Sequence, residues 1–287
     1  MSNHGEEEKA RGSQIWVHLA LLLAVTFALY PVLWVATLAV SPDGLGTEAR
    51  ILPLPSAPSL DNFRTVIGAD AAARAIFFRQ VVNSLLVSVA TAAIAILLAT
   101  PAGYALARFR FKGSGAGVKA LLFTQMFPTV ASAVPLYLLL SALGLLDSRG
   151  GLVLVYAATA IPFAVFQIRG AFEAVPVDLE EAAMVDGATR TQAFLKVALP
   201  AARPAIAVTF LFAFMAAWNE FVLAATLLSR EEAFTLPVVL QRLVGEHDAK
   251  WGPFAAGALL VSLPVVAIFY AVQKQLVGGL TAGGVKG

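Results

Sequence analysis

The residues of this sequence that could do chemistry lie in one polar window, residues 178–200, on an otherwise apolar chain. Acidic side chains there are followed by small ones, as in Glu181-Ala182-Ala183. Small side chains let the backbone of another protein approach closely. The window ends at Pro200, where the missing backbone donor should end a helix. The chemistry that it indicates is recognition of a soluble partner.

The spacing within the window predicts two short helices. Asp178 is followed three residues later by Glu181, and Thr189 is followed three residues later by Gln192. Both pairs have the spacing of a capping box, which closes the open start of a helix. Gly187 lies between them and can adopt the left-handed conformation that ends a helix. The capping pattern by itself is equally compatible with an ordinary helical turn on the surface, in which the only role of Glu181 is to complete the capping box.

No catalytic set accompanies this window. The sequence has no cysteine, so neither a disulfide nor a thiolate-ligated metal is expected. A phosphate-binding loop would need the pattern G-x-x-x-x-G-K-S/T after a strand, and the glycines at 113, 115 and 117 lack that lysine. The histidines are too far apart for a metal site: His4, His18 and His247. A chain that moves a solute against a gradient without binding ATP needs a partner that does.

Composition places the chain in a membrane. Hydrophobic residues make up 59% of it and charged residues only 13%, far from the values of soluble proteins. The net charge of +2 is too small to indicate nucleic-acid binding. Six segments reach the roughly 20 residues that cross a bilayer. We predict an all-α membrane protein with spans near residues 15–40, 81–104, 118–143, 151–171, 201–228 and 254–276.

These spans divide the chain into a six-helix membrane domain, residues 15–276, and two tails. The first span follows Glu6-Glu7-Glu8 and lacks the basic start of a signal peptide, so we expect it to stay uncleaved. The remaining segments are a tail at 1–14, an outer loop at 41–80, a hairpin at 172–200, an outer loop at 229–253 and a tail at 277–287.

The basic residues predict the orientation. The short loop between the second and third spans carries Arg108, Arg110, Lys112 and Lys119, whereas the loop after the third span has only Arg149. Positive residues favour the cytoplasmic side. With six spans, both termini and the 172–200 hairpin then face the cytoplasm.

A few polar residues lie inside the predicted spans. Gln125 and Asn83 need hydrogen-bond partners or a water-filled path. Glu220, beside Asn219, is the carboxylate that we place within a span, and a charge there is a candidate for function. Gln125, Asn219 and Glu220 are therefore possible pathway-lining residues, although Glu220 fits a structural hydrogen bond equally well. Kinks are expected at the mid-span prolines Pro128, Pro135, Pro162 and Pro264.

The spacing of Glu181-Ala182-Ala183, Gly187, Val197, Leu199 and Pro200 resembles the cytoplasmic signature of bacterial ABC importer permeases. In that family this segment is the coupling helix, which docks in a cleft of the ATP-hydrolysing subunit. The resemblance implies a coupling role for Glu180, Glu181, Ala182, Ala183, Asp186, Gly187, Ala188, Leu199 and Pro200.

Four further segments narrow the resemblance: residues 123–128, 218–221, 235–237 and 279–287. They look like the smaller permease subunit of carbohydrate ABC importers, with maltose or maltodextrin as the implied cargo. The resemblance implies a bacterial inner-membrane complex of this chain, a larger permease and two copies of a P-loop ATPase. A sugar-binding protein would deliver cargo from outside. ATP and Mg²⁺ would be used by the ATPase, with no cofactor on this chain and no nucleic acid as partner.

The resemblance also implies two further contact segments. It assigns ATPase contact to Thr281, Ala282, Gly283, Gly284 and Lys286. It assigns contact with the binding protein to Gln241, Gly245 and His247. From the residues alone, a glycine-rich unstructured end and a solvated connector explain these two segments as well.

Other functions are compatible with parts of the sequence. A permease of the same family could carry another di- or oligosaccharide, such as trehalose. An ion-coupled secondary transporter would need inverted repeats and several intramembrane charges, and we find no convincing repeat. A membrane scaffold would use the hairpin as a docking site but leaves the mid-span prolines unexplained.

Overall fold

The computed structural model describes residues 3–42, 54–55, 57–244 and 250–284, with side chains between positions 14 and 273 of those ranges. Its helices are α1 (Asn3–Val40), α2 (Asp61–Ile67), α3 (Ala71–Arg108), α4 (Ser114–Met126), α5 (Ala133–Ala142), α6 (Arg149–Ala174), α7 (Val177–Val185), α8 (Arg190–Ala193), α9 (Leu199–Trp218), α10 (Val222–Leu227), α11 (Leu236–Leu243) and α12 (Trp251–Gly284). Single 3₁₀ turns lie at Thr129–Ser132 and Glu231–Ala233, and a π-helical turn lies at Phe194–Ala198.

Within these ranges, five helices are long and apolar enough to cross a bilayer, and a sixth crossing results if α4 and α5 count as one bent span. The five are Gln14–Val40, Ala71–Arg108, Arg149–Ala174, Arg190–Trp218 and Trp251–Gln273. The prediction of an all-α membrane protein is confirmed. Several helices run beyond the predicted spans, because hydropathy marks only the apolar part of a helix.

The third predicted span, 118–143, is not a straight helix. The axes of Ser114–Met126 and Thr129–Ala142 meet at 91°. Phe127 and Pro128 are both extended, with ψ of 126° and 124°. Proline has no backbone donor and disfavours helical geometry in the residue before it, so the helix must stop at Met126. The kink predicted at Pro128 is thus a complete break.

The predicted helix end at Pro200 is wrong. α8, the π-helical turn Phe194–Ala198 and α9 follow one another without a gap, so that one helix runs from Arg190 to Trp218. Pro200 cannot donate to the carbonyl of Lys196, and its ring crowds that group. The wider turn directly before the proline relieves this conflict, because π-helical bonds reach one residue further.

The same helix ends earlier than the predicted span 201–228. Its last residue is Trp218, whose successor Asn219 donates its backbone N–H to the carbonyl of Met215 at 3.0 Å. A short separate helix, α10, follows from Val222. A hydropathy window averages across this break, because the residues on both sides of it are apolar.

Contacts divide the chain into two units, of which the larger is Ala75–Val239 with Ser262–Gly287. In this unit α6 packs along α9, and Phe172 and Phe214 are fully buried there. A second buried cluster joins α5, α6 and α10 through Leu140, Leu152 and Leu223. Apolar burial of this kind fixes the relative positions of α3, α6 and α9, which carry the site described below.

The smaller unit is Met1–Arg74 with Leu240–Val261. Its organising residue is the buried Asn62 of α2. The Asn62 amide donates to the carbonyls of Leu38, Ala39 and Ser41 at 3.3, 3.1 and 2.9 Å. These carbonyls belong to the last turn of α1 and the residue after it, where helical acceptors lack intrahelical donors. Asn62 therefore caps α1.

Candidate functional site

The polar window folds as a helical hairpin in which α7 ends at a glycine. Gly187 has a φ of 93°. Its N–H donates to the carbonyl of Met184 at 3.1 Å, and the N–H of Ala188 donates to the carbonyl of Ala183 at 3.0 Å. These two bonds define a Schellman motif, whose central position favours glycine because a Cβ is strained at positive φ. The predicted helix end at Gly187 is confirmed.

The start of α8 is also as predicted. The backbone N–H of Thr189 donates to the side-chain oxygen of Gln192 at 2.8 Å, and the N–H of Gln192 donates to the Thr189 hydroxyl at 3.3 Å. This is a complete capping box. The glycine and the box together fix a tight connection between α7 and α8.

The start of α7 differs from the prediction. The helix begins at Val177, and Pro176 occupies its capping position without a side-chain bond. Asp178 is therefore inside the first turn, and the capping box with Glu181 does not form. The fixed φ of proline is compatible with the start of a helix, and Pro176 is the residue at which α7 is entered. Glu181 is left exposed on the surface of α7.

Glu180, the residue before it, is buried and holds the hairpin to α3. The Tyr104 hydroxyl donates to Glu180 Oε2 at 2.5 Å, and Arg108 Nε donates to Glu180 Oε1 at 2.7 Å. The Arg108 and Glu180 side chains are only 7% and 6% exposed. A second Arg108 nitrogen donates to the carbonyl of Val175 at 2.8 Å. Both carboxylate oxygens are satisfied, as a buried charge requires.

Aromatic rings surround this ion pair. The Tyr104 ring lies 5.3 Å from Phe172 of α6 and 4.4 Å from Phe194 of the π-helical turn, measured between centroids. The Arg190 guanidinium carbon lies 5.3 Å from the centre of the Phe109 ring. Edge and cation–π contacts of this kind add to apolar burial. Helices α3 and α6, the π-helical turn and the hairpin are thereby joined around one buried ion pair.

The opposite face of the hairpin is not covered in this way by the residues that the structure describes. Leu179 is 50% exposed and Val185 is 87% exposed. Ala182 lies between them and is exposed too. Apolar side chains presented together on a surface indicate a contact with another molecule. The hairpin therefore has an anchored face at Glu180 and a free face at Leu179, Ala182 and Val185, which we call the docking face.

The nine residues predicted to couple to an ATPase thus occupy different surroundings. Glu180 is buried in the anchor, and Leu199 and Pro200 are half-buried in α9. The others lie on the hairpin surface, exposed or half-buried: Glu181, Ala182, Ala183, Asp186, Gly187 and Ala188. Sequence reasoning missed Tyr104 as a partner and used Arg108 only for orientation. The available signal was their spacing of four residues, which puts both on one face of α3.

A cavity of about 360 Å³ lies between α3, α4, α6 and α9. Gln125 and Glu220 both line it, together with the hydroxyl groups of Thr91 and Thr159. Gln125 donates its amide to the carbonyl of Thr159 at 3.3 Å. Asn219 is not among the lining residues and donates its side chain to the carbonyl of Met215 at 2.9 Å. The pathway role of all three residues stays a prediction.

Glu220 also has a structural role. Its carboxylate accepts from the backbone N–H groups of Leu223 at 2.8 Å and Ala224 at 3.1 Å, and from the Tyr156 hydroxyl. The two N–H groups belong to the first turn of α10, where donors lack helical acceptors. Glu220 therefore caps the start of α10 while bordering the cavity, so the two interpretations of this residue are compatible.

In its described part, the segment 229–253 is more than a solvated connector. Asn83 of α3 donates its amide to the carbonyls of Glu232 at 2.8 Å and Phe234 at 3.1 Å. The N–H of Leu236 donates to the Ser84 hydroxyl at 2.7 Å, and Phe234 is 1% exposed. Asn83, which needed a partner inside the apolar chain, thus ties this segment to α3.

The remaining predicted contact residues are described only in part. Gln241 is exposed on α11. Gly245, His247 and Lys286 lie outside the described residues. The backbone of Thr281, Ala282, Gly283 and Gly284 continues α12, which runs to Gly284 rather than ending near residue 276. Glycine weakens a helix without blocking it, so the predicted unstructured end is not found as far as Gly284.

The comparisons with known proteins agree with this geometry. Residues 99–280 match the family described as the binding-protein-dependent transport system inner membrane component. Because the match covers more than half of the sequence, the chain belongs to this family of membrane transport components.

Individual relatives cover almost the whole chain. The trehalose transport system permease protein SugB of Mycobacterium tuberculosis is 35% identical over 97% of this chain and 99% of its own length. The maltose/maltodextrin transport system permease protein MalG of Vibrio vulnificus is 37% identical, with 96% of both chains covered. A chain from the crystal structure of a bacterial ABC transporter involved in the import of the acidic polysaccharide alginate has a TM-score of 0.73 and 26% identity, covering 93% of this chain and 97% of that chain.

Proposed function

We propose that this chain is a permease subunit of an ATP-driven importer for a di- or oligosaccharide, with maltose or maltodextrin as the first candidate cargo. Relatives named for trehalose and for maltose/maltodextrin transport both cover at least 96% of this chain at similar identity. Their agreement supports a carbohydrate as the class of cargo. Trehalose remains the alternative within that class.

The observation that carries the proposal is the two-sided hairpin. Glu180 is held by Tyr104 and Arg108 within the membrane domain, whereas the docking face is free. A partner that moved the docking face would therefore move α3 with it. This is the arrangement needed to transmit the closure of an ATPase to a membrane pathway, and two copies of such an ATPase would use ATP and Mg²⁺.

The proposed orientation places the hairpin and both termini in the cytoplasm of a bacterial inner membrane. Arg108, at the end of α3, holds Glu180. Arg110 and Lys112 follow in the loop after α3, and Lys119 lies in α4. Their positive charge favours the cytoplasmic side. A larger permease would complete the pathway, and an extracytoplasmic sugar-binding protein would deliver cargo at the other side.

The cavity bordered by Gln125 and Glu220 is proposed as part of the sugar pathway. It combines hydroxyl, amide and carboxylate groups with apolar walls, among them Phe163 and Phe212. Sugars are bound by such mixtures, because hydroxyl groups need hydrogen bonds and the ring faces pack on apolar side chains. The ion-coupled alternative has less support, since Glu220 already accepts three hydrogen bonds.

The test is uptake by the purified complex in liposomes, with ATP inside and its binding protein outside. Maltose, maltotriose and trehalose are compared as cargo, and each is expected to enter only with ATP. Glu220→Gln should slow uptake more than Asn219→Ala, because only Glu220 borders the cavity. Uptake without ATP but with an ion gradient would refute the ABC assignment. Equal uptake by both variants would refute the pathway role of Glu220 but would leave the ABC assignment intact.

A further inference from the structure

An apolar groove lies between the end of α3 and α4, and its lining residues are different from those of the hairpin contacts and of the polar cavity. Its volume is about 460 Å³. Its lining is mostly apolar and includes Ala102, Ala105, Phe111, Gly113, Gly117 and Ala120. Gly117 on α4 has open space at its Cβ position, so a ligand has room beside it. The function proposed above does not use it.

The chain around this groove is strongly positive. Arg110 directly precedes the lining residue Phe111, Lys112 separates Phe111 from Gly113, and Lys119 directly precedes Ala120. All three basic residues are exposed. No aspartate or glutamate occurs between Asp70 and Asp147, so the loop carries no compensating acidic residue. A dry groove therefore opens beside three cations.

We propose that this groove binds an anionic phospholipid of the cytoplasmic leaflet. One acyl chain would lie along Gly117 and Ala120, and the phosphate would contact Arg110, Lys112 and Lys119. Apolar burial accounts for the chain and charge complementarity for the headgroup. A water-soluble phosphate would gain nothing from the groove, and a lipid without net charge would gain less from the cations than an anionic one.

The position of the groove would give such a lipid an influence on the hairpin. Ala102 and Ala105 of the groove flank Tyr104, and Arg108 is one helical turn beyond. Tyr104 and Arg108 are the residues that hold Glu180. A lipid against this part of α3 would therefore stabilise the end of α3 that is bonded to Glu180 of the hairpin.

The test uses the whole purified complex in mild detergent, with phosphatidylglycerol or phosphatidylcholine of equal chain length added and bound lipid counted by native mass spectrometry. We expect phosphatidylglycerol to be retained preferentially. Arg110→Gln, Lys112→Gln and Lys119→Gln should each weaken its retention by about fivefold, the effect of one cation near an anionic surface.

Gly117→Phe fills the groove, and Gly115→Phe is the matched control. Both glycines lie on α4 with open space at the Cβ, but only Gly117 lines the groove. Loss of bound phosphatidylglycerol in Gly117→Phe alone would support the proposal. Equal retention by both variants, or equal retention of both lipids by the unaltered complex, would overturn it. The proposal would also be overturned if the second permease were lost from the Gly117→Phe complex but not from the Gly115→Phe complex, because the groove would then be occupied by a protein.

Discussion

At the scale of single residues, the account depends on the different surroundings of Glu180 and Glu181. They are neighbours in the sequence, yet Glu180 is 5% exposed in an ion pair whereas Glu181 lies on the surface. The sequence could not separate them, because the partner Arg108 lies 72 positions away and meets Glu180 only after the helices pack. Of the two local capping signals, the box of Thr189 with Gln192 forms, whereas that of Asp178 with Glu181 does not, because α7 begins one residue earlier, at Val177.

Replacing Glu180 should therefore affect stability far more than replacing Glu181. Glu180→Gln leaves the Arg108 charge buried without a counter-ion, and breaking such a pair costs about 3–5 kcal/mol. Glu181→Gln should change the free energy of unfolding by less than about 0.5 kcal/mol, as for most surface substitutions. Thermal unfolding of the purified complexes measures both.

If the anchor also transmits movement, Glu180→Gln complexes that remain folded should hydrolyse ATP with less sugar uptake per ATP. Tyr104→Phe is a milder companion, because it removes one hydrogen bond and keeps the ring contacts. Equal melting temperatures for the Glu180 and Glu181 variants would contradict the anchor.

At the scale of elements, local backbone chemistry decided which predictions held. Gly187 was predicted to end a helix and does so, whereas Pro128 was predicted to kink a helix and instead lies at a complete break. Pro200 carries the same restriction, yet the helix passes through it by means of the π-helical turn. The difference lies in the packing of Phe194 against Tyr104 and Phe172, which holds that turn in place. Phe194 is 90 positions from Tyr104 and 22 from Phe172, so no local sequence pattern predicts these contacts.

Two glycine-to-alanine changes separate turn chemistry from helix propensity. Gly187→Ala should destabilise the complex by about 1–2 kcal/mol, the penalty for a Cβ in the left-handed conformation. Gly170→Ala, inside α6 with open space at its Cβ, should stabilise by about 0.5–1 kcal/mol. Melting temperatures that shift in opposite directions would support the Schellman motif, and a neutral or stabilising Gly187→Ala would contradict it.

At the scale of the whole molecule, apolar composition and segment length were enough to predict an all-α membrane protein. They could not predict the 91° break between α4 and α5 or the separate helix α10, since both lie within apolar sequence. The orientation rests on a different property, the distribution of basic residues. From that distribution we propose that the hairpin and the segment 229–236 lie on opposite sides of the membrane.

The absence of cysteine makes this orientation directly measurable. Each single-cysteine variant carries one thiol, so labelling of intact cells by a membrane-impermeant maleimide reports one position. Glu232→Cys should be labelled from outside, whereas Glu181→Cys should be labelled only after the cells are permeabilised. Both side chains are exposed, so access to them depends on their side of the membrane. The reverse pattern would place the hairpin outside and exclude its coupling to a cytoplasmic ATPase.

The central claim is that the docking face of the hairpin contacts an ATPase. The most direct measurement is photo-crosslinking in native membranes, with a photoreactive amino acid at Leu179, followed by identification of the attached protein. Leu143 is the control, because it is similarly exposed at 55% but lies beyond α5, outside the hairpin. The account predicts attachment of a P-loop ATPase at Leu179 and not at Leu143. Attachment of no ATPase at Leu179, from a chain that still transports sugar, would contradict it.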